Sequence, residues 1–420
     1  MDAHFPTGVL AALLGFCFYY PLFMSYLWMC GGLYYHWHYE RRDPPHDQPP
    51  PLPAYPPVSI LVPCHNEAQT LAETVASLLA IDYPEFEILL IDDGSTDATP
   101  ALADACARQH PRVRAVHLSR NQGKAVGLNT GAALARHDIL LCVDGDSMVD
   151  RHCLRWMVRH LLTGPRVGAV TGNPRIRTRS TLLGKVQVGE FSSIIGLIKR
   201  AQRTYGKVFT VSGVMVCLRR SALHHAGYWN PAALTEDIDI SWRLQVRHWD
   251  VRFEPRALCW ILMPETLRGL WRQRLRWAMG GTQVLFAQRG VFAAWRQRRM
   301  VPVYLEYFAS VLWAWSMAAL ILLWLLGLAW PLPPELPRAT LVPGWTGLVI
   351  GTTCLLQFAV SMFLDGRYEK GFGRYYYWMI WYPLAFWLLN VATTLVALPR
   401  LLLRGRARAR WTSPDRGLQP

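Results

Sequence analysis

The chain has 420 residues, with 44 Lys and Arg against 29 Asp and Glu for a net charge of +15, enough for one sizeable domain plus further segments. So basic a balance fits nucleic acid, an anionic membrane face or an anionic substrate, and a hydrophobic fraction of 52% with 19 tryptophans favours the membrane. Nine cysteines without a Cys-x-x-Cys pair or a histidine cluster argue against a disulfide framework or zinc site and read as reduced thiols facing cytosol.

In chain order, residues 9–35 carry no charge and exceed the ~20 apolar residues a bilayer crossing needs. The stretch is too long, and too weakly basic before it, for a cleaved signal peptide. Arg41 and Arg42 on its C-terminal flank place that side in the cytoplasm and the N-terminus outside. Residues 1–36 therefore read as a transmembrane segment and 37–57 as a stiff proline-rich linker.

From residue 58 to about 262 strands alternate with helices. Strands are expected at 58–62, 86–91, 113–118, 139–143 and 167–171, and helices at 66–80, 123–136, 150–162 and 238–246. Thr96 or Asp97 suits a helix cap between two of them. This βαβ series predicts an α/β domain with a doubly wound, mostly parallel sheet. Residues 182–205 are amphipathic. Residues 263–300 read as interfacial helices, with the composition of a membrane-surface helix at 270–277.

Hydrophobic blocks at 301–330, 341–364 and 375–403 make up a C-terminal membrane region, followed by a basic tail, 404–420. Arg404, Arg406, Arg408 and Arg410 keep that tail cytoplasmic, and the basic loop 365–374 also prefers the inside. The last block must then enter and return, or lie at the interface. Tyr375, Tyr376, Tyr377, Trp378, Trp381 and Tyr382 crowd its start, and Pro383 interrupts its hydrogen bonding.

The chemistry gathers at strand ends. Asp144-Gly145-Asp146 follows the apolar run 139–143, where open α/β sheets bind ligands. Two carboxylates so close repel unless a cation neutralises them, and Mg2+ or Mn2+ with a diphosphate is the natural candidate. Gly145 lets the backbone turn and a ligand approach. Asp92 and Asp93 end a second strand and can accept from a nucleobase or ribose. Asn121-Gln122-Gly123-Lys124 opens a helix and can hold a phosphate. Thr235-Glu236-Asp237 offers a general base, with Asp237 kept ionised by a helix dipole. Gln273, Arg276 and Trp277 lie at i, i+3 and i+4 on one helix face, supplying an amide, a phosphate clamp and an aromatic platform. Each cluster alone has a plain alternative as a cap or solvated turn; all of them in this order do not.

Together these clusters resemble the family 2 inverting glycosyltransferases of GT-A fold, over residues 58 to about 281. Gln-x-x-Arg-Trp marks the processive polysaccharide synthases of that family, such as cellulose, chitin and hyaluronan synthases. Segments 170–180, 188–196, 235–241 and 410–417 are similar to the bacterial synthases of biofilm poly-β-1,6-N-acetyl-D-glucosamine. Such synthases often begin with two hydrophobic spans, whereas this sequence shows one.

The resemblance implies that Asp93 contacts uracil or ribose, Asp144 the nucleotide and Asp146 the Mg2+ or Mn2+. Asp237 would be the catalytic base, with Lys124 and Glu236 beside the substrate. Gln273, Arg276 and Trp277 would hold diphosphate and acceptor. It implies UDP-N-acetylglucosamine as donor, a growing polysaccharide as acceptor, and export of a biofilm polymer from a multi-pass inner-membrane enzyme with a cytoplasmic catalytic domain. Membrane lipid and a small membrane subunit would be partners. Nucleic acid would not, since no recognition helix or RNA-binding signature is present.

The alternatives are another processive synthase, single-sugar transfer to a lipid, or a non-catalytic nucleotide-binding scaffold. Gln273 to Trp277 disfavours the second, and the intact set Asp93, Asp144, Asp146 and Asp237 the third. Residues 411–416 loosely resemble the Trp-Gly-Thr-Arg element that covers the nucleotide in hyaluronan and chitin synthases. With a cytoplasmic tail, a cysteine at Gln419 is expected to resist a membrane-impermeant thiol reagent on intact cells; labelling from outside overturns that topology.

Overall fold

A computed structural model describes residues 7–330 and 345–404. One eight-stranded sheet contains β1 (Val58–Cys64), β2 (Phe86–Asp92), β3 (Val113–His117), β4 (Ile139–Val143), β5 (Met148–Val149), β6 (Val167–Ile176), β7 (Met215–Arg219) and β8 (Asp250–Ile261), in the order β3-β2-β1-β4-β7-β6-β8-β5. Every residue of β1, β2 and β4 is buried, as expected of strands covered on both faces. β1 to β4 pair in parallel. β7 then runs antiparallel to both β4 and β6, while β6 and β8 are parallel. The doubly wound sheet is thus parallel in its first half and mixed in its second. The pattern gave no sign of β7, because a five-residue apolar run suits strand or buried helix equally.

α1 (Thr7–Tyr35) precedes the sheet, and α2 (Leu71–Leu79), α3 (Thr99–Gln109), α4 (Lys124–Leu134) and α5 (Cys153–Thr163) alternate with its first strands. α6 (Leu182–Phe191), a π-helical stretch Ser192–Leu197 and α7 (Ile198–Tyr205) form one interrupted helix. α8 (Arg220–Ala226) and α9 (Glu236–Val246) precede β8, and α10 (Leu267–Ala287) follows it. α11 (Val301–Ala329), α12 (Trp345–Asp365) and α13 (Trp387–Arg404) end the described chain.

The proline-rich stretch is strapped to the domain. Trp156 Nε1 donates to His46 O at 2.7 Å, Arg155 Nη2 to Pro49 O at 3.2 Å, and the Tyr83 hydroxyl to Pro56 O at 2.7 Å. Prolines lack an N–H but keep their carbonyls as acceptors, so the domain supplies the donors.

Four described segments, containing α1, α11, α12 and α13, are long and apolar enough to cross a membrane. The block read as residues 375–403 divides in two. Its aromatic start is a 3-10 run, Phe372–Trp381, and a π-helical turn, Tyr382–Phe386; α13 follows. Met379 is buried against Gly189 of α6, and Lys185 lies 4.8 Å from the Trp378 ring centroid, while Tyr377 and Ile380 are exposed. That is the amphipathic arrangement of an interfacial segment. α13 packs along α10 and α11. Arg406, Arg408, Arg410 and residues 411–416 lie outside the described residues, so the tail's position beside the nucleotide stays an expectation.

A buried charge cluster joins the helices to the domain. Asp365, fully buried at the end of α12, accepts from Arg175 Nη1 of β6 at 2.8 Å, Ser192 Oγ at 2.9 Å and Arg200 Nη1 of α7 at 2.8 Å. Arg200 Nε also donates to Glu40 Oε1 at 2.8 Å, just beyond α1, and Glu369 pairs with Arg175 and Arg179. Removing one member of such a cluster strands the others without water. Asp365→Ala is expected to cost about 3–5 kcal/mol and lower the unfolding temperature in detergent by on the order of 10 °C; an unchanged melting curve would refute the cluster's structural role.

Candidate active site

β4 ends at Val143, and the Asp144–Asp146 turn follows. A Cβ on Gly145 would lie 3.2 Å from both Cys64 Sγ and Glu67 Cγ. The Gly145 carbonyl accepts the Thr70 and Thr74 hydroxyls at 3.3 and 3.0 Å. The glycine thus admits β1 and the start of α2, a close fit that its sequence position did not announce. This close packing fixes the carboxylates on either side. Ser147 Oγ donates to Asp146 Oδ1 at 3.3 Å.

Lys124, the first residue of α4, sits between two acids. Its Nζ lies 2.5 Å from Asp144 Oδ1 and 3.1 Å from Glu236 Oε1, and donates to Gly213 O at 3.2 Å. Expected at a phosphate, it here joins the β4 turn to the α9 start. Burial pushes the Asp144 carboxyl up to about 6, opposed by Lys124 and reinforced by Asp146. Burial acts on Glu236 too, but Lys124 and then Arg276 outweigh it and hold that carboxyl below the usual range. For Lys124 itself burial is outweighed by Asp144 and Glu236, which raise its affinity for the proton.

Asp237 opens α9 beside Glu236. Burial, and next the neighbouring Glu236 charge, raise its carboxyl above the ordinary aspartate range; Lys124, Arg276 and the Ile238 N–H, 2.9 Å from Oδ1, only partly oppose this. A raised pKa makes the ionised form a stronger base. Asp93 is fully buried and turned inward. Its two oxygens accept the Gln122 and Gly123 N–H groups at 2.8 and 2.7 Å, fixing the turn before α4. Burial raises its carboxyl while these two bonds lower it, leaving it raised.

α10 carries Gln273, Arg276 and Trp277 on one face, and of these Arg276 acts on the acids at the start of α9. Arg276 is exposed, and its charge acts on both Glu236 and Asp237. Gln273 Nε2 contacts Met263 Sδ at 3.6 Å, and its Oε1 is buried without a hydrogen-bond partner. Trp277 is half-buried. The approach of α10 to α9 depends on Gly280, where a Cβ would lie 2.0 Å from Thr235 Oγ1. Two adjacent glycines inside a helical pattern were the signal for this, and sequence reasoning passed over it.

Lys199 gave no signal at all. It is 2% exposed, its Nζ has no hydrogen-bond partner among the described residues, and burial lowers its pKa to about 7 against the pull of Asp237. Among the described residues no group of three or more His, Cys, Asp or Glu could hold a metal. The acids at the turn are thus a one- or two-carboxylate set, which fits Mg2+ or Mn2+ completed by water and substrate phosphate.

A doubly wound sheet places nucleotides at the carboxyl ends of its strands, and here those ends face a buried acid and an arginine on a separate helix. The domain is a GT-A glycosyltransferase. Residues 56–280 match the family described as Glycosyltransferase like family 2, and the chain belongs to that family. It is 37% identical over 411 residues to a poly-beta-1,6-N-acetyl-D-glucosamine synthase of Staphylococcus aureus (strain COL), covering 96% of this chain and 98% of that protein. It is 35% identical over 413 residues to the protein of the same name from Staphylococcus epidermidis, with the same coverage. In fold it is similar to a mannosyltransferase from Pyrobaculum calidifontis solved with GDP-Man and Mn2+, at TM-score 0.64 and 20% identity over 95% of this chain and 99% of that one.

Gly280→Ala must push α10 away from Thr235. A misplacement of about 1 Å near a reacting centre costs roughly 10²-fold, and a loss of that order in UDP release is expected with the circular dichroism spectrum unchanged. Gly290→Ala, where a Cβ meets nothing within 4 Å, serves as the control.

Proposed function

We propose that this chain transfers N-acetylglucosamine from UDP-N-acetylglucosamine, with inversion, onto a growing β-1,6-linked polysaccharide beside the bacterial inner membrane. The observation that carries this reading is the meeting of the Gln273–Trp277 face of α10 with the Thr235–Asp237 turn through Gly280. In this reading Trp277 serves as the sugar platform and Asp237 as the base. The staphylococcal synthases, matched along nearly their whole length, support the sugar and the linkage.

Asp237 takes the proton of the acceptor's 6-hydroxyl. That oxygen attacks the anomeric carbon opposite the UDP oxygen, whose bond breaks as the new one forms. The raised Asp237 carboxyl suits a base, and such a group supplies ~10²–10⁴-fold. Arg276 and Lys124 bring positive charge to the diphosphate, and Trp277 orients the acceptor ring. The Asp93-capped turn shapes the floor under the nucleotide. Asp146, with Asp144, would hold Mg2+ or Mn2+, which when bound offsets charge on the departing UDP.

The catalytic domain is placed on the cytoplasmic side, where the donor is made. A cavity of about 290 Å³ among the membrane helices, lined by Ser193, Thr353, Gln357, Asn390, Trp313 and Trp387 among others, supports an outward path for the polymer. Its walls are mainly apolar, with hydroxyl, amide and indole groups placed among them that can hydrogen-bond a sugar chain. A small membrane subunit would complete that path.

Membranes holding the full chain, given labelled UDP-sugars and Mg2+, should make a polymer that a β-1,6-specific hydrolase degrades. Asp237→Asn is expected to lower polymerisation at least ~10²-fold while UDP binding survives; a loss under about tenfold would end the base assignment. Because the Asp237 carboxyl is raised, activity should fall on acidification at a pH above the ordinary aspartate range. Asp146→Ala should abolish both activity and metal dependence, and full wild-type activity in excess chelator would remove the metal from this scheme.

A further inference from the structure

An indole is a useful platform only if its face is held at one angle to the acceptor. Arg274, three residues before Trp277 on the same side of α10, lays its guanidinium 4.3 Å from the indole centroid. The Phe191 ring tilts against Trp277 at 6.2 Å. Arg274 is 4% exposed, and its Nη2 donates to Glu190 Oε2 of α6 at 2.5 Å. Glu190 is 2% exposed, and its other oxygen accepts the Tyr382 hydroxyl at 3.4 Å. Tyr382 stacks on Phe386 at 5.1 Å and meets Phe358 edge-on at 4.8 Å. Tyr382 and Phe358 both line the intramembrane cavity.

A continuous set of contacts therefore runs from the platform to the cavity wall, through groups the reaction itself does not use. A buried ion pair is a weak source of stability beside an apolar pair of the same volume. What Glu190 and Arg274 add is direction, since a guanidinium held by a carboxylate presents a flat face at a fixed angle.

We propose that Glu190, Arg274 and Tyr382 are positioning residues for the acceptor: they hold Trp277 in line with the intramembrane cavity and so set the length of the polymer. The inference rests on the polymerase reading above. Average length is the ratio of elongation to release. Freeing the Trp277 indole from its contact with Arg274 should loosen the acceptor, speed release and shorten the product, by up to roughly tenfold. The donor side of the site, formed by other residues, should be untouched.

The test uses membranes containing the full chain, with the product sized by gel filtration and UDP release followed over a range of UDP-N-acetylglucosamine. Glu190→Gln weakens the hold on Arg274. Arg274→Lys keeps the charge but loses the flat face. Tyr382→Phe removes one hydroxyl. All three are expected to shorten the polymer with the KM for the donor unchanged. Wild-type product length in Glu190→Gln and Tyr382→Phe overturns the proposal, as does a rise in donor KM parallel to the shortening. If Glu190→Gln fails to fold, Tyr382→Phe decides alone. A wild type that adds only a single sugar overturns the polymerase reading and this inference with it, whereas full-length product from the variants of a polymer-forming wild type overturns this inference only.

Discussion

Asp365 is the residue on which the architecture depends. It is a carboxylate with no solvent exposure, and its desolvation is offset only because two guanidinium groups and a hydroxyl converge on it. Those donors come from β6, α7 and the π-helical stretch between α6 and α7, while Arg200 passes the connection on to Glu40 beside α1. Hydrophobic packing would let membrane helices slide over a domain surface. A charge cluster of this kind permits one arrangement, because every other leaves a buried ion unpaired.

The same principle recurs on a smaller scale in the active site. Lys124 stands between Asp144 and Glu236, so the turn after β4 and the start of α9 are drawn together by one ammonium group. Burial raises Asp144 and Asp237, while Lys124 and Arg276 hold Glu236 down. Neighbouring carboxyls are thereby given different proton affinities, the condition under which one can act as base while another stays ionised beside the substrate. A donor diphosphate with its cation would enter a site where one ammonium group already holds two carboxylates, and Lys124 is the group able to turn from them to phosphate.

The sheet domain and the apolar helices meet at α10. Its Gly280 fits against Thr235, its Arg274 reaches Glu190, and α13 lies along it. The helix thus touches the start of α9, the interrupted α6–α7 helix and the apolar helices α11 and α13. In a synthase that extends a chain while passing it outward, the acceptor end must stay registered with the exit, and one rigid helix contacting all three is a direct physical means to that.

The sequence by itself determined the catalytic half of this protein in outline. Buried parallel strands need unbroken apolar runs, so 58–62, 86–91 and 139–143 could be read, and the acids at their ends with them. Helical spacing likewise brought Gln273, Arg276 and Trp277 to one face. Local rules of this kind work because both the pattern and its cause lie within a few residues. Tertiary structure decided the rest. Nothing near Lys199 foretells a buried amine without a hydrogen-bond partner among the described residues, and nothing near Gly145 says that its missing side chain makes room for Cys64 and Glu67. The antiparallel strand β7 is too short for its period to speak. Asp237 reads in the sequence as a helix-end acid, and the upward push that burial gives its carboxyl could not be read there, because desolvation is set by everything packed around a group. The charges that join the membrane helices to the domain, Glu40, Arg175, Arg200 and Asp365, lie up to 325 residues apart by their numbering, and only folding brings them within reach of one another.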